Sequence, residues 1–188
     1  MDNKTFSPLE INLSAPLFKT QDVFGKTIDL TEYKGKKVFL GFFRHAGCPF
    51  CNLRVYTLSK AYQELKEKGM EMIFFFESKE SVITKSSFLQ EMNPIPIISD
   101  PDKKWYQTYG LEESAYKSTM SHITSFVQTA IKAKLKGLPM HLMADGESIN
   151  TMPAEFLLDQ DLIMRKLHYS QRLNDRLSLE YIHEFAKA

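Results

Sequence analysis

VFLGFFRHAGCPFCNLRVY, residues Val38–Tyr56, holds both cysteines of the 188-residue chain, Cys48 and Cys51. Its first six residues, Val38–Phe43, form a continuous apolar run, the pattern of a strand buried on both faces. From Pro49 to Lys68 the period changes. Leu53, Tyr56, Ala61, Tyr62 and Leu65 fall near one helical face, and Gly69 supplies the stop. A C-x-x-C pair therefore stands where a buried strand gives way to a helix.

That position has chemical consequences. The first N–H groups of a helix are unpaired and carry partial positive charge, which favours a thiolate over a thiol. Such sites bring a cysteine pKa from about 8.5 down to roughly 3.5–7.5. Pro49 suits the first turn, where its missing N–H is not needed. Cys51, one turn further along, lies beside Cys48 and can close a disulfide with it. Cys48 at the tip is expected to be the exposed, low-pKa nucleophile and Cys51 the shielded resolving thiol. Three other readings stay open: half of a zinc site completed by two of His45, His141 and His168, a structural disulfide, or inert buried sulfur. The strand–CPFC–helix context favours redox chemistry.

The rest of the chain reads around this centre. Leu9–Phe18 is an extended segment broken by Pro16, and Thr27–Leu30 a short strand. Glu71–Phe76 is a second buried strand, Ser81–Met92 a helix and Ile95–Ile98 a short strand whose Pro96 suggests an edge. Asp100-Pro101-Asp102 opens a helix through Tyr109. Residues 112–137 carry Met120, Ile123, Val127, Ala130, Ile131 and Leu135 at helical spacing, a stripe expected to pack into the core. Residues 138–150 form a loop. Ala154–Leu158 and Leu162–His168 make a hairpin, and Ser178 caps a last helix, Leu179–Ala186. Strands alternating with helices imply a partly parallel sheet with helices on both faces.

Composition is that of a globular protein, 43% hydrophobic and 25% charged. The formal net charge of +1 points to neither nucleic acid nor an anionic membrane. The opening residues lack a basic stretch followed by a long apolar run, and no apolar run has membrane-spanning length. A cytoplasmic location is the expectation, and in that compartment a C-x-x-C pair serves catalysis or metal binding rather than stapling.

Several segments together resemble the peroxiredoxin-like (alkyl hydroperoxide reductase / thiol-specific antioxidant) family: SAPLF–KTQDVFGKTIDLTEYKGKKVFLGFFRHAGCPFC, EMIFFFESKES, ISDPDKKWYQTYGL, MPAEFLLDQDLIMRKLHYS and HYSQRLNDRLSLEYI. The resemblance implies an α/β thioredoxin-like fold over residues 1–188. It would have a mixed central sheet, helices on both faces, an N-terminal strand extension and a helical insertion at about 112–147. It implies peroxide reduction through Cys48 with Cys51 resolving, and a thioredoxin- or glutathione-type reductant. It places Pro153 against the cysteine pair, with the backbone of Met152 pairing to an extended substrate segment. The chain departs from the family pattern P-x-x-x-(T/S)-x-x-C, since Gly41 and His45 stand where the proline and the Thr or Ser belong. A protein thiol-disulfide oxidoreductase of thioredoxin or glutaredoxin type therefore stays open. So does a non-catalytic redox-sensitive binding module.

Neighbouring residues have two readings each. His45 stabilises a thiolate when protonated, or is a polar strand-end residue. Arg44 adds positive potential, or is an exposed surface charge. Arg54, Arg165 and Arg172 are further candidates to reach the sulfur. Phe50 is expected to be exposed and to meet a partner. No sequence sign of a metal or organic cofactor accompanies the pair, and a homodimer is one possible assembly.

Overall fold

The structure, a computed structural model, describes residues 7–92, 94–140 and 147–188. Strand β1 (Lys19–Gln21) pairs antiparallel with β2 (Thr27–Asp29) as a separate ribbon. The main sheet contains β3 (Lys37–Phe42), β4 (Met70–Phe76), β5 (Ile97–Ser99), β6 (Ala154–Leu158) and β7 (Met164–Tyr169) in the order β5-β4-β3-β6-β7. Strands β3, β4 and β5 run parallel, and β6 and β7 run antiparallel to their neighbours. This is the mixed sheet anticipated, with β5 at an edge, where Pro96 costs no central ladder bond.

Side chains of β3 and β4 alternate between two cores. Phe39, Phe43, Phe74 and Phe76 join one face, and Val38, Leu40, Phe42, Ile73 and Phe75 the other. Phe42 stacks on Phe75 with ring centroids 4.4 Å apart. A Cβ on Gly41 would come within 2.9 Å of the Phe39 and Phe43 rings, so glycine is what lets these two rings sit side by side. Helix α1 (Pro49–Glu67) covers the first face, with Cys51, Val55, Leu58 and Leu65 fully buried beneath it. Helix α6 (Leu179–Lys187), capped by Ser178, packs on the same face through Ile182 and Ala186.

Two expectations fail. Ser81–Met92 is not one helix but two single turns, α2 (Glu80–Ile83) and α3 (Ser87–Gln90). The apolar pattern is present, with Ile83, Leu89 and Met92 buried, but four-residue turns between loops suffice to bury it. After α4 (Lys104–Thr108), whose first N–H groups are capped by the Asp100 carboxylate, comes α5 (Ala115–Leu135). Its apolar stripe faces outward. Val127 is 69% exposed, Ile131 54% and Leu135 83%, and Met120 is also exposed. Small residues face inward instead: Ser118, Ser121 and Ala133 are buried, Ser118 Oγ donating to Ile149 O and Ser121 Oγ accepting from Leu173 N–H at 3.0 Å. The side chain of Ile123 lies outside the described residues. Among the described residues, no helix is long and apolar enough to cross a membrane.

Candidate active site

Cys48 is the N-cap of α1, in extended backbone, with Pro49 as the first helical residue. Its own N–H donates to His45 O at 3.0 Å, and its carbonyl accepts from Asn52 N at 2.9 Å. The turn from β3 into α1 is thus closed at both ends by backbone bonds. Asn52, fully buried, steadies it further: its Nδ2 donates to Ala46 O and to Pro139 O, both at 2.8 Å.

The two sulfurs sit in different surroundings. Arg44 Nη1 lies 3.8 Å from Cys48 Sγ, and the Arg44 backbone N–H donates to Cys51 Sγ at 3.3 Å. Burial is the largest effect on Cys48 and opposes ionisation. The Cys51 thiol and backbone N–H, the Arg44 charge and the Arg176 charge together outweigh it and bring the Cys48 pKa down to about 6. Cys51 moves the other way. Its burial comes first, then its hydrogen bond and its proximity to the Cys48 thiolate, and they raise its pKa well above an ordinary thiol. One proton therefore belongs to Cys51 and the negative charge to Cys48.

The exposure expected of Cys48 is not found. Cys48 is 1% exposed and Cys51 is fully buried; beside the helix tip Pro139 O meets Asn52, Ile149 O meets Arg44 and Phe126 of α5 meets Phe50. Arg44 is also buried rather than a surface charge, and its Nη2 donates to Ile149 O at 2.7 Å. Phe50 is buried too, its ring 6.4 Å from that of Phe126 on α5. His45 is buried, with Nδ1 3.6 Å from Glu147 Oε2, while the other oxygen of that carboxylate, Oε1, accepts from Ser78 Oγ.

Pro153 immediately precedes β6, beside the end of β3, where Ala154 is in register with Phe42. Met152 belongs to the same buried cluster as Cys48 and Cys51. The Met152 backbone is already engaged, however. Its N–H donates to Glu112 O at 2.9 Å, Glu113 bridges Thr151, and Ser114 N–H donates to Asn150 O at 2.7 Å. The edge expected to receive a substrate segment is taken by the chain's own residues 112–114.

Sequence reasoning missed the ionic support behind the cysteines. Glu155, fully buried on β6, accepts from Arg54 Nε at 2.7 Å, from Arg54 Nη2 at 2.8 Å and from Leu177 N–H at 3.0 Å. Arg176 Nε stands 3.6 Å from the same carboxylate. A carboxylate inside the apolar strand AEFLL was the available signal. Arg165 pairs instead with Asp159 and Asn12 on the hairpin, and Arg172 is exposed. Among the described residues, no three His, Cys, Asp or Glu side chains converge. His168 pairs with Asp175 at 3.1 Å, and His141 lies outside the described residues.

A dithiol at the start of the helix that follows the central strand of such a sheet marks a thioredoxin-like fold. The chain belongs to the AhpC/TSA family, whose model matches residues 11–167. It is 32% identical over 103 residues to the thiol-disulfide oxidoreductase ResA of Bacillus thuringiensis subsp. konkukian, covering 55% of this chain and 59% of that one. It is 25% identical over 105 residues to peroxiredoxin Bcp of Escherichia coli, covering 56% and 67%. The solved structure of peroxidoxin BcpB from Mycobacterium tuberculosis shares the fold with a TM-score of 0.62 at 13% identity, covering 95% of this chain and 94% of that one.

Proposed function

We propose that the protein is a thiol-dependent peroxidase. The Cys48 thiolate attacks the peroxide, the O–O bond breaks, and the departing oxygen takes a proton to leave as water or alcohol. Cys48 becomes a sulfenic acid. The Cys51 thiol then attacks the Cys48 sulfur, water leaves, and an intramolecular disulfide remains. A dithiol or glutathione-type donor returns the pair to two thiols, which fits a cytoplasmic setting. The carrying observation is the division of charge between the sulfurs: Cys48 is ionised at neutral pH beside Arg44, while Cys51 keeps its proton. In this reading Arg44 stabilises the thiolate, Pro49 shapes the helix start and Pro153 with Met152 walls the site.

The buried sulfur and the occupied Met152 edge favour a small oxidant over an extended protein segment. Similarity to ResA supports a second reading, disulfide exchange with a protein substrate. The two are separated by the rate at which reduced protein loses its thiols to one equivalent of hydrogen peroxide. Loss far faster than that of free cysteine is expected. Cys48→Ser abolishes it, and Cys51→Ser leaves a trapped sulfenic acid. Loss no faster than free cysteine, with rapid oxidation by a disulfide-bonded protein, would replace the peroxidase reading with the second.

A further inference from the structure

We infer that Glu77, the residue after β4, is a positioning residue for Arg44: it holds residues 148–151 so that the Ile149 carbonyl keeps the Arg44 guanidinium against the Cys48 sulfur. The inference rests on the proposed reading of Arg44 as the counter-charge of the Cys48 thiolate. Glu77 is fully buried at the end of the strand that runs beside β3. A carboxylate in such a place is costly unless its oxygens are bonded. Both oxygens are given to one short segment. Oε1 accepts from Ser148 N–H at 3.1 Å, and Oε2 accepts from Thr151 Oγ1 at 2.6 Å. Lys103 Nζ stands 3.3 Å from Oε2 and donates to Thr151 Oγ1 at 3.0 Å.

Between these two anchors lies Ile149. Its carbonyl accepts from Arg44 Nη2 at 2.7 Å, and Arg44 Nη1 stands 3.8 Å from Cys48 Sγ. The main chain repeats the tie, since Glu77 N–H donates to Arg44 O at 3.3 Å. Glu77 thus reaches Arg44 twice, at its backbone directly and at its guanidinium through residues 148–151. Other bonds to this segment run elsewhere. Ser114 N–H donates to Asn150 O, Met152 N–H to Glu112 O and Ser118 Oγ to Ile149 O. They fasten it to residues 112–118, whereas the Glu77 bonds fasten it to the sheet, at the strand end beside Arg44. Among the described residues Arg44 Nε has no acceptor, so the Ile149 carbonyl and the Cys48 sulfur are what orient its head group. A charge loses its effect on the sulfur as it moves away, so the anchor of Ile149 O sets how strongly Arg44 acts. The other groups that act on Cys48 are Cys51 and Arg176, and those that face Glu77 are Lys103 and, through Lys103, Glu113.

The rate of alkylation of the reduced full chain against pH gives the Cys48 midpoint and tests this. Removing a negative charge by itself makes a nearby thiolate easier to form, so a purely electrostatic role for Glu77 lowers the midpoint in Glu77→Ala. A positioning role does the opposite, and a rise of about half a pH unit or more is expected as Arg44 leaves the sulfur. Glu77→Gln keeps an acceptor for Ser148 N–H and a group that bonds the Thr151 hydroxyl, so its midpoint should not rise. In an Arg44→Met background, Glu77→Ala should raise the midpoint no further. Should far-ultraviolet circular dichroism show Glu77→Ala unfolded, Thr151→Val takes its place in both backgrounds, with a rise again expected. A midpoint that falls or stays, a rise that persists in the Arg44→Met background, or a midpoint unmoved by Arg44→Met alone overturns the inference. Slow wild-type thiol loss to hydrogen peroxide, with these midpoints as expected, removes the peroxidase reading and leaves Glu77 in this role.

Discussion

Helices α1 and α5 lie against each other, and both carry apolar residues at helical spacing, yet they use the spacing in opposite ways. Helix α1 turns Val55, Leu58 and Leu65 inward and takes a charged residue, Arg54, with them. Helix α5 turns serine and alanine inward and leaves Val127, Ile131 and Leu135 in solvent. Periodicity reports that a segment is a helix with an apolar side. It does not report what that side meets. The difference follows from what each helix has to cover. Helix α1 lies directly on the sheet, where large side chains fill the space over Phe39 and Phe74. Helix α5 lies on α1, where Phe126 meets Phe50, and its buried serines bond to Ile149 O and Leu173 N–H, contacts that need small polar groups rather than large apolar ones.

The largest effect is expected from the charge that α1 buries. Arg54→Met leaves the Glu155 carboxylate with Arg176 and the Leu177 N–H alone. Breaking a buried pair by removing one partner costs about 3–5 kcal/mol. Denaturant unfolding of the reduced protein reads this directly. A loss under about 1 kcal/mol would mean that Arg176 serves Glu155 by itself, and that Arg54 is inside for packing only.

A matched pair of truncations compares the two helices themselves. Leu58→Ala on α1 opens a cavity against the sheet and should cost about 2–5 kcal/mol. Val127→Ala on α5, at a position 69% exposed, should fall within about 0.5 kcal/mol of wild type. Equal losses from the two would show that the outward face of α5 is held against something within the same chain.

The strands and the site differ from α5 in how far they could be read. Val38–Phe43 and Met72–Phe76 are apolar on both faces, and a stretch of that kind has one home, the centre of a covered sheet. The CPFC turn was legible because its chemistry depends on local backbone: an N-cap, a proline at the first position and one turn between sulfurs. Burial of Cys48 was not legible. It depends on Ile149 O, Pro139 O and the α5 ring of Phe126 coming to the helix tip, contacts between residues more than seventy positions apart. The same applies to Arg44, whose buried guanidinium is tolerable because Ile149 O and the Cys48 sulfur accept from it. Arg176 could not be chosen over Arg165 or Arg172 from sequence. All three follow β6, and it is the turn at Ser170–Asp175 that brings Arg176 back to Glu155.

A narrower effect, confined to one titration, concerns Arg44 itself, and it separates two sources of the Cys48 thiolate. The helix start of α1 would favour the anion with or without a neighbouring cation, whereas Arg44 adds a charge 3.8 Å from the sulfur. The sign is fixed by the thiolate being the charged form. Burial raises the Cys48 pKa, the Cys51 bond and Arg44 lower it, and the net value is about 6, so the sulfur loses its proton as pH rises through that point. Arg44→Met removes one lowering influence and moves the midpoint up. An opposite charge at this range is worth about one pH unit or more, so alkylation by iodoacetamide at pH 6 should slow about fivefold or more. The two rates should converge near pH 9, where both proteins are fully ionised. The thiolate absorbance near 240 nm should follow the same pair of curves. If the midpoint stays at about 6 in Arg44→Met, the helix start and Cys51 hold the charge, and α1 alone makes the nucleophile.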